Sequence, residues 1–167
     1  MPVFVPAFFA ERRQACRRGS LINCATGRRN GCGSRRSRWP NASQLVGYPT
    51  QYPSVSLVDW ETGQPNARFW VLKLLKDHFS PGDQLVRTPQ PGPFVYAQAF
   101  LSTGNKRRLL LVNRRNRDME ITIPGAVGAA MRFVDQTTAF QPPSSTTLKQ
   151  EVVRLGGYAV AVVEFAQ

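Results

Sequence analysis

Histidine and cysteine build most metal centres and nucleophilic triads, and this chain has few of either. His78 is the single histidine, and the three cysteines, Cys16, Cys24 and Cys32, all fall within the first 42 residues. Seven residues separate each pair of cysteines, which is not a C-x2-C metal pattern, and three thiols cannot all pair within one chain. His78 stands among Leu74, Leu75 and Phe79 with no group beside it from which a triad or a metal site is built, so it reads as a packing or surface residue. No metal and no cofactor is expected. The chain also lacks any apolar run of about 18 residues, so no transmembrane helix and no membrane partner is expected. Beyond residue 42 there is no cysteine at all, which is compatible with any redox compartment.

Lysine is missing where arginine is dense. Residues 1–42 hold nine Arg, no Lys and one acid, Glu11; residues 43–167 hold 13 Lys and Arg against nine acids. Of the formal net charge of +12, the leader therefore carries +8, and the strongly basic balance says little about the remainder. Three readings of this leader stand side by side. The pairs Arg12-Arg13, Arg17-Arg18, Arg28-Arg29 and Arg35-Arg36 could neutralise phosphates as a basic nucleic-acid-binding arm, but only Trp39 lies near them to stack on a base. The apolar Val3–Ala10 stretch resembles part of a targeting peptide, yet no positive segment precedes it and Glu11-Arg12-Arg13 follows at once, the wrong order for a secretory signal. The third reading is an out-of-frame or mis-spliced segment, since Arg without Lys, with Gly, Ser, Ala and Cys, is what GC-rich DNA yields in the wrong frame. On every reading the segment has too little apolar surface to fold alone, and disorder is expected over 1–42. Nucleic acid is not the expected partner, and localisation stays open. Asn41-Ala42-Ser43 fits the N-glycosylation triplet, a pattern common by chance.

An apolar content of 42% is enough for one core in a chain of 167 residues. Ser54–Val58 reads as a buried strand ending at Asp59-Trp60, followed by the turn-like Glu61-Thr62-Gly63. Pro65 suits a first helical turn, where its missing N–H is no loss. From Pro65 to Phe79 a helix is predicted, with Trp70, Val71, Leu74 and Leu75 on one face, Leu72 and Phe79 widening it, and Ser80-Pro81-Gly82 as the stop. So wide a stripe requires a cover larger than one strand. Everything after it reads as β: Gln84–Arg87, Phe94–Leu101, Arg107–Arg114, Asp118–Ile123, Ala129–Asp135, Thr146–Arg154 and Gly157–Phe165. Met119, Ile121 and Ile123 alternate with Asp118, Glu120 and Thr122, the mark of a half-buried strand. About seven short strands with turn signals between them predict an antiparallel β-sandwich, preceded by one β-strand and one α-helix.

The runs VSLVDW, PNARFWVLKLL and SPGDQLV resemble the end of the catalytic region in clan A retaining glycoside hydrolases, near families 39 and 79. LLLVNRR and the terminal GYAVAVVEF resemble the small β-sandwich that follows the barrel in such enzymes. The resemblance covers roughly residues 43–165. It implies a leader over 1–42, the last βα unit of a (β/α)8 barrel over 43–82, and a C-terminal sandwich over 83–167. It also implies that the catalytic carboxylates, about 5–5.5 Å apart in a retaining enzyme, come from the fourth and seventh barrel strands, in sequence this chain does not hold. The chain is therefore expected to be a truncated glycoside hydrolase-like protein, incompetent alone, with carbohydrate as partner of the intact parent and with a barrel-supplying partner or self-association to cover the helix.

The acids present, Asp83, Asp118, Glu120, Asp135 and Glu164, fall in predicted turns or on sandwich strands, and none is nominated as catalytic. Asp59 and Trp60 are the substrate-binding candidates: they fall where the eighth barrel strand ends, and the resemblance implies an aromatic floor for a sugar ring at Trp60, with Asp59 as a hydroxyl partner. The plainer reading of Trp60 is packing at a strand end. Lys106-Arg107-Arg108 with Arg114, Arg115 and Arg117 forms a candidate patch for an acidic polysaccharide or phosphate, against the plainer reading of solvated hairpin ends. As an alternative function, the sandwich acts as a carbohydrate-binding module through exposed aromatics such as Phe94 or Tyr96.

Overall fold

The computed structural model describes residues 3–4, 44–46, 56–59 and 61–166. Within them the chain runs through β1 (Val3–Phe4), β2 (Gln44–Val46), β3 (Ser56–Val58), α1 (Ala67–His78), β4 (Gln84–Val86), β5 (Val95–Leu101), β6 (Arg107–Asn113), β7 (Met119–Thr122), β8 (Ala130–Val134), β9 (Ser144–Thr147), β10 (Val152–Leu155) and β11 (Val160–Glu164). A six-stranded sheet has the order β4-β5-β6-β11-β8-β9, a second sheet has β1-β7-β10, and β2 and β3 form a parallel pair.

The period-2 pattern of these strands sends one set of side chains into the space between the two larger sheets. Val95, Ala97 and Ala99 of β5, Leu109 and Leu111 of β6, Met131 of β8 and Ala161 and Val163 of β11 meet Ile121 of β7 and Val153 and Leu155 of β10. Size alternates across the strands: Leu111 stands between Ala97 and Ala161, and Leu109 between Ala99 and Val163. Small neighbours give the leucines room to interdigitate at interior density. This is the expected mainly β sandwich, and its large sheet is antiparallel throughout.

Three expectations change. The run Thr146–Arg154 is two strands in different sheets, because the chain turns a corner at Leu148. Leu148 is buried; its carbonyl accepts from Gly128 N–H and its N–H donates to Ala129 O, which closes the pairing with β8. Glu151 then opens the next ladder: its carbonyl accepts from Ile123 N–H and its carboxylate from Gly125 N–H at 2.7 Å. Leu148 and Val153, the buried residues on either side, are five positions apart, so the alternation changes phase at the corner. Second, the part before the sandwich holds more than one strand, since β2 pairs in parallel with β3. Three residues are too few for a periodic signal. Third, within the leader expected to be disordered, β1 lies parallel to β7, Val3 opposite Ile121 and Phe4 opposite Thr122; the rest of residues 1–42 lies outside the described residues.

The helix begins two residues later than Pro65. Asn66 is its cap: the side-chain oxygen accepts from Phe69 N–H at 3.2 Å, while the side-chain amide donates to Ser56 O at 2.8 Å. One residue thus satisfies a free helix-end donor and ties the helix to β3. Pro65 forms an isolated bridge with Val58 instead. At the other end Phe79 has extended backbone, and Ser80 to Asp83 close a turn in which Asp83 accepts from Ser80 N–H at 3.0 Å.

The cover for the helix is the outer face of the six-stranded sheet. Leu74 is 2% exposed and packs with Val134 of β8 and Val162 of β11; Trp70, Val71, Phe79 and Leu110 surround them. Phe79 stacks on Phe100 with ring centroids 4.2 Å apart, and Trp70 Nε1 donates to Phe140 O at 2.9 Å. Phe69 and Leu72 are half-buried and stand outside this cluster. Leu74→Ala is expected to cost about 2–5 kcal/mol, as a buried leucine does. Leu72→Ala, with less to lose, is expected to cost a small fraction of that. Urea unfolding of the two variants checks the order; equal costs would contradict the placement of the apolar face.

Candidate functional site

Asp59 lies just past β3, at the entry to the turn that leads to the helix. Its carboxylate accepts from Thr62 N–H at 2.9 Å and from the Thr62 hydroxyl at 2.8 Å, and its backbone bonds to Gln64 and Gly63 close the loop. The bond from Thr62 N–H, then that from the Thr62 hydroxyl, hold this exposed carboxyl below the usual aspartate range. Asp59 is thus a turn-forming anion. Trp60 lies outside the described residues.

Several other acids have local partners. Asp83 caps the turn after the helix, Asp118 takes Arg154, and Asp135 accepts from Thr137 N–H at 2.8 Å and from the Thr137 and Thr138 hydroxyls. Glu164 takes Arg108 at 3.0 Å and Lys106 at 3.3 Å. Partial burial opposes its ionisation, but the bonds and charges of Arg108 and Lys106 outweigh that and lower its pKa. A glycosidic general acid needs the opposite, a carboxyl held protonated by a raised pKa. Asp59, Asp77 and Glu164 all move downward. Among the described residues no three His, Cys, Asp or Glu side chains gather as metal ligands.

The predicted basic patch is divided. Lys106, Arg107 and Arg108 stand at one end of β6 and Arg114, Arg115 and Arg117 beyond the other. A seven-residue strand holds such groups about 20 Å apart. At the first end Arg108 also donates to His78 O, the helix C-terminus, where a cation is favourable. At the second end Arg115 lies over the Phe94 ring at 4.2 Å, with Arg117 at 5.6 Å. Phe94 therefore serves as a platform for the chain's own cations, whereas Tyr96 is 42% exposed on the outer face of β5.

Asn113, at the end of β6, went unnoticed in the sequence. It is 1% exposed, and its amide donates to Arg117 O and Gly156 O, both at 2.7 Å, while its side-chain oxygen accepts from Arg115 N–H at 3.0 Å. One side chain thus sets two turns against each other, the one after β6 and the one between β10 and β11. Next to them two shallow grooves open. One, of about 340 Å³, runs between Asp118 and Arg154 on one wall and Asp135, Gln136 and Thr137 on the other. A smaller one, of about 290 Å³, lies between Pro91–Val95 and Arg117. Single-sequence reading had no signal for either, because their walls come from four separate loops.

Residues 95–163 match the family model described as the D-apionate lactonase C-terminal immunoglobulin-like domain. A comparison with curated proteins gives no match. Among solved structures, the catalytic domain of the family 30 xylanase C from Talaromyces cellulolyticus superposes with a TM-score of 0.55 at 16% identity, over 68% of this chain and 28% of that one. The family 30 subfamily 8 xylanase from Clostridium acetobutylicum does so with a TM-score of 0.50 at 15% identity, over 68% and 31%. This chain spans about three tenths of the length of these neighbours. At such identities the likeness is one of fold. Together with the family match it supports the resemblance to the C-terminal domain of a glycoside hydrolase-like protein. The sequence resemblance was to families 39 and 79, and these neighbours are of family 30, so the likeness concerns shared architecture rather than one family.

The lowered pKa of Glu164 has a consequence for acid stability. A carboxyl depressed in the folded state stabilises the fold above its unfolded value, near 4.5, and loses that contribution as pH falls through its folded pKa. Glu164→Gln is therefore expected to lower stability at pH 7 and to flatten its decline below about pH 4.5. Thermal melts across pH 3–7 (roughly the span of carboxylate titration) test this; parallel curves for the two proteins would contradict it.

Proposed function

We propose that this chain is the accessory β-sandwich of a carbohydrate-active hydrolase, joined to the last βα unit of the barrel, and that it braces the catalytic part without catalysing. The observation that carries this reading is the helix junction: α1 directly follows β3, which is one strand of a parallel pair, and docks through Leu74 on the back of the sandwich. A parallel pair followed by a helix is a fragment of βα architecture set against a six-stranded sheet that is antiparallel throughout. Phe69 and Leu72 of the helix stay partly exposed, which supports a further surface packing there. In the intact arrangement Asp59 and Trp60, at the end of β3, stand at the rim of the sugar site, with Asp59 oriented by Thr62.

Two measurements test the proposal. The purified chain is expected to show no turnover of aryl glycosides; turnover that disappears on mutating one acid of this chain would overturn it. The chain is also expected to self-associate through the uncovered helix edge, so Phe69→Gln with Leu72→Gln should shift sedimentation toward monomer without lowering the melting temperature. Unfolding of that double variant would instead mean that this edge belongs to a self-sufficient core.

A further inference from the structure

We propose that the groove at the end of the sandwich, between the β10–β11 turn and the loop after β8, binds one unit of a neutral sugar. Its volume of about 340 Å³ lies at the lower end of the range of small-molecule sites, about 300–1,000 Å³. Three features of its chemistry point to a polyol and not to an anion.

Its one cation is already paired. Arg154 Nε donates to Asp118 Oδ2 at 2.8 Å, and a second guanidinium nitrogen reaches the same oxygen. Asp135 Oδ1 is saturated by Thr137 and Thr138. An entering anion would meet two carboxylates and would have to break the Arg154–Asp118 pair to reach the guanidinium.

Each carboxylate also has a second oxygen outside those bonds. Asp118 Oδ1 and Asp135 Oδ2 remain as acceptors on the same lining as Gln136, whose amide nitrogen gives one of its two protons to Asn116 Oδ1 and keeps the other, and Arg154, whose guanidinium holds further N–H groups beyond the two on Asp118. A hydroxyl both donates and accepts, so vicinal hydroxyls are recognised where acceptors and donors lie side by side. Between these polar walls the partly exposed Phe133, over the buried Leu155 and Ala159, is the apolar part of the lining, a small surface suited to the C–H face of a ring.

The turn is kept open by the absence of side chains. A Cβ on Gly156 would stand 2.7 Å from Asp135 Oδ2, and one on Gly157 would stand 2.8 Å from Gln136 Nε2. Glycine at both positions lets the backbone approach these groups without covering them. Asn113 fixes the same turn from below through Gly156 O.

The groove chemistry is independent of the accessory-domain reading, and only the choice of probe rests on it. Amide NMR of the full chain titrated with methyl β-xyloside and with xylotriose is the test. Saturable shifts are expected at Gly156, Gly157, Gln136 and Thr137, with a dissociation constant on the order of 1 mM, as a few hydrogen bonds and one small apolar contact give. Raising the salt should leave them unchanged. Asp135→Asn retains the turn acceptor but replaces Oδ2 by an amide, and Gln136→Ala removes the facing donor; each should weaken binding about fivefold or more, roughly 1 kcal/mol, in a protein whose spectrum stays dispersed. Absence of shifts at about 50 mM probe, far above the expected constant, would overturn the proposal. So would shifts centred on Phe94 and Arg115, or binding abolished by salt. A negative result would leave the hydrolysis and sedimentation tests of the accessory role untouched.

Discussion

The structure turns on one strand that is covered on both faces. β11 is the last strand among the described residues, yet it sits inside the large sheet, hydrogen-bonded to β6 on one side and β8 on the other. Ala161 and Val163 enter the space between the sheets, and Val162 faces the helix. All three are at most 1% exposed. A strand buried on both faces has to be apolar at successive positions, which is why the run reads AVAVV without alternation. Its pairing is also distant in sequence, so the sheet and the helix site are complete only when the end of the chain is in place.

From that strand two junctions extend. On the outer side Val162 and Val134 form the floor on which Leu74 rests, and Arg108 ties the rim by bonding both Glu164 and the helix C-terminus. The ion pair is half-solvated and contributes little by itself; its use is orientation, since it sets the helix end against β6 and β11 together. The apolar contacts supply the energy, and the cap at Asn66 carries the connection onward to β3. In this way the sandwich, the helix and the parallel pair form one connected series.

At the end of the sandwich the organising group is polar. Asn113 is buried, and its amide replaces the water that two turn carbonyls would otherwise hold. Such a network specifies a geometry more than it adds stability, and the geometry it specifies is the narrow turn at Gly156-Gly157. The groove next to it thus depends on the same residue that closes β6. Phe94, a candidate sugar platform in the sequence, is covered by Arg115 and Arg117 instead; only the fold brings those cations back across the strand end.

The amino-acid sequence by itself determined the mainly β class, the helix and its apolar stripe, and nearly every strand of the sandwich, because each rests on local periodicity of side chains. It also placed the acids of the β region in turns and on strands, outside the core. The corner at Leu148, the β2–β3 pairing, the role of Asn113 and the cover over Leu74 were illegible, for a common reason: each depends on which distant segment lies opposite, and periodicity carries no information about partners. Only the tertiary structure decided that the six-stranded sheet, apolar on its outer face at Leu110, Val134 and Val162, is the surface that receives the helix.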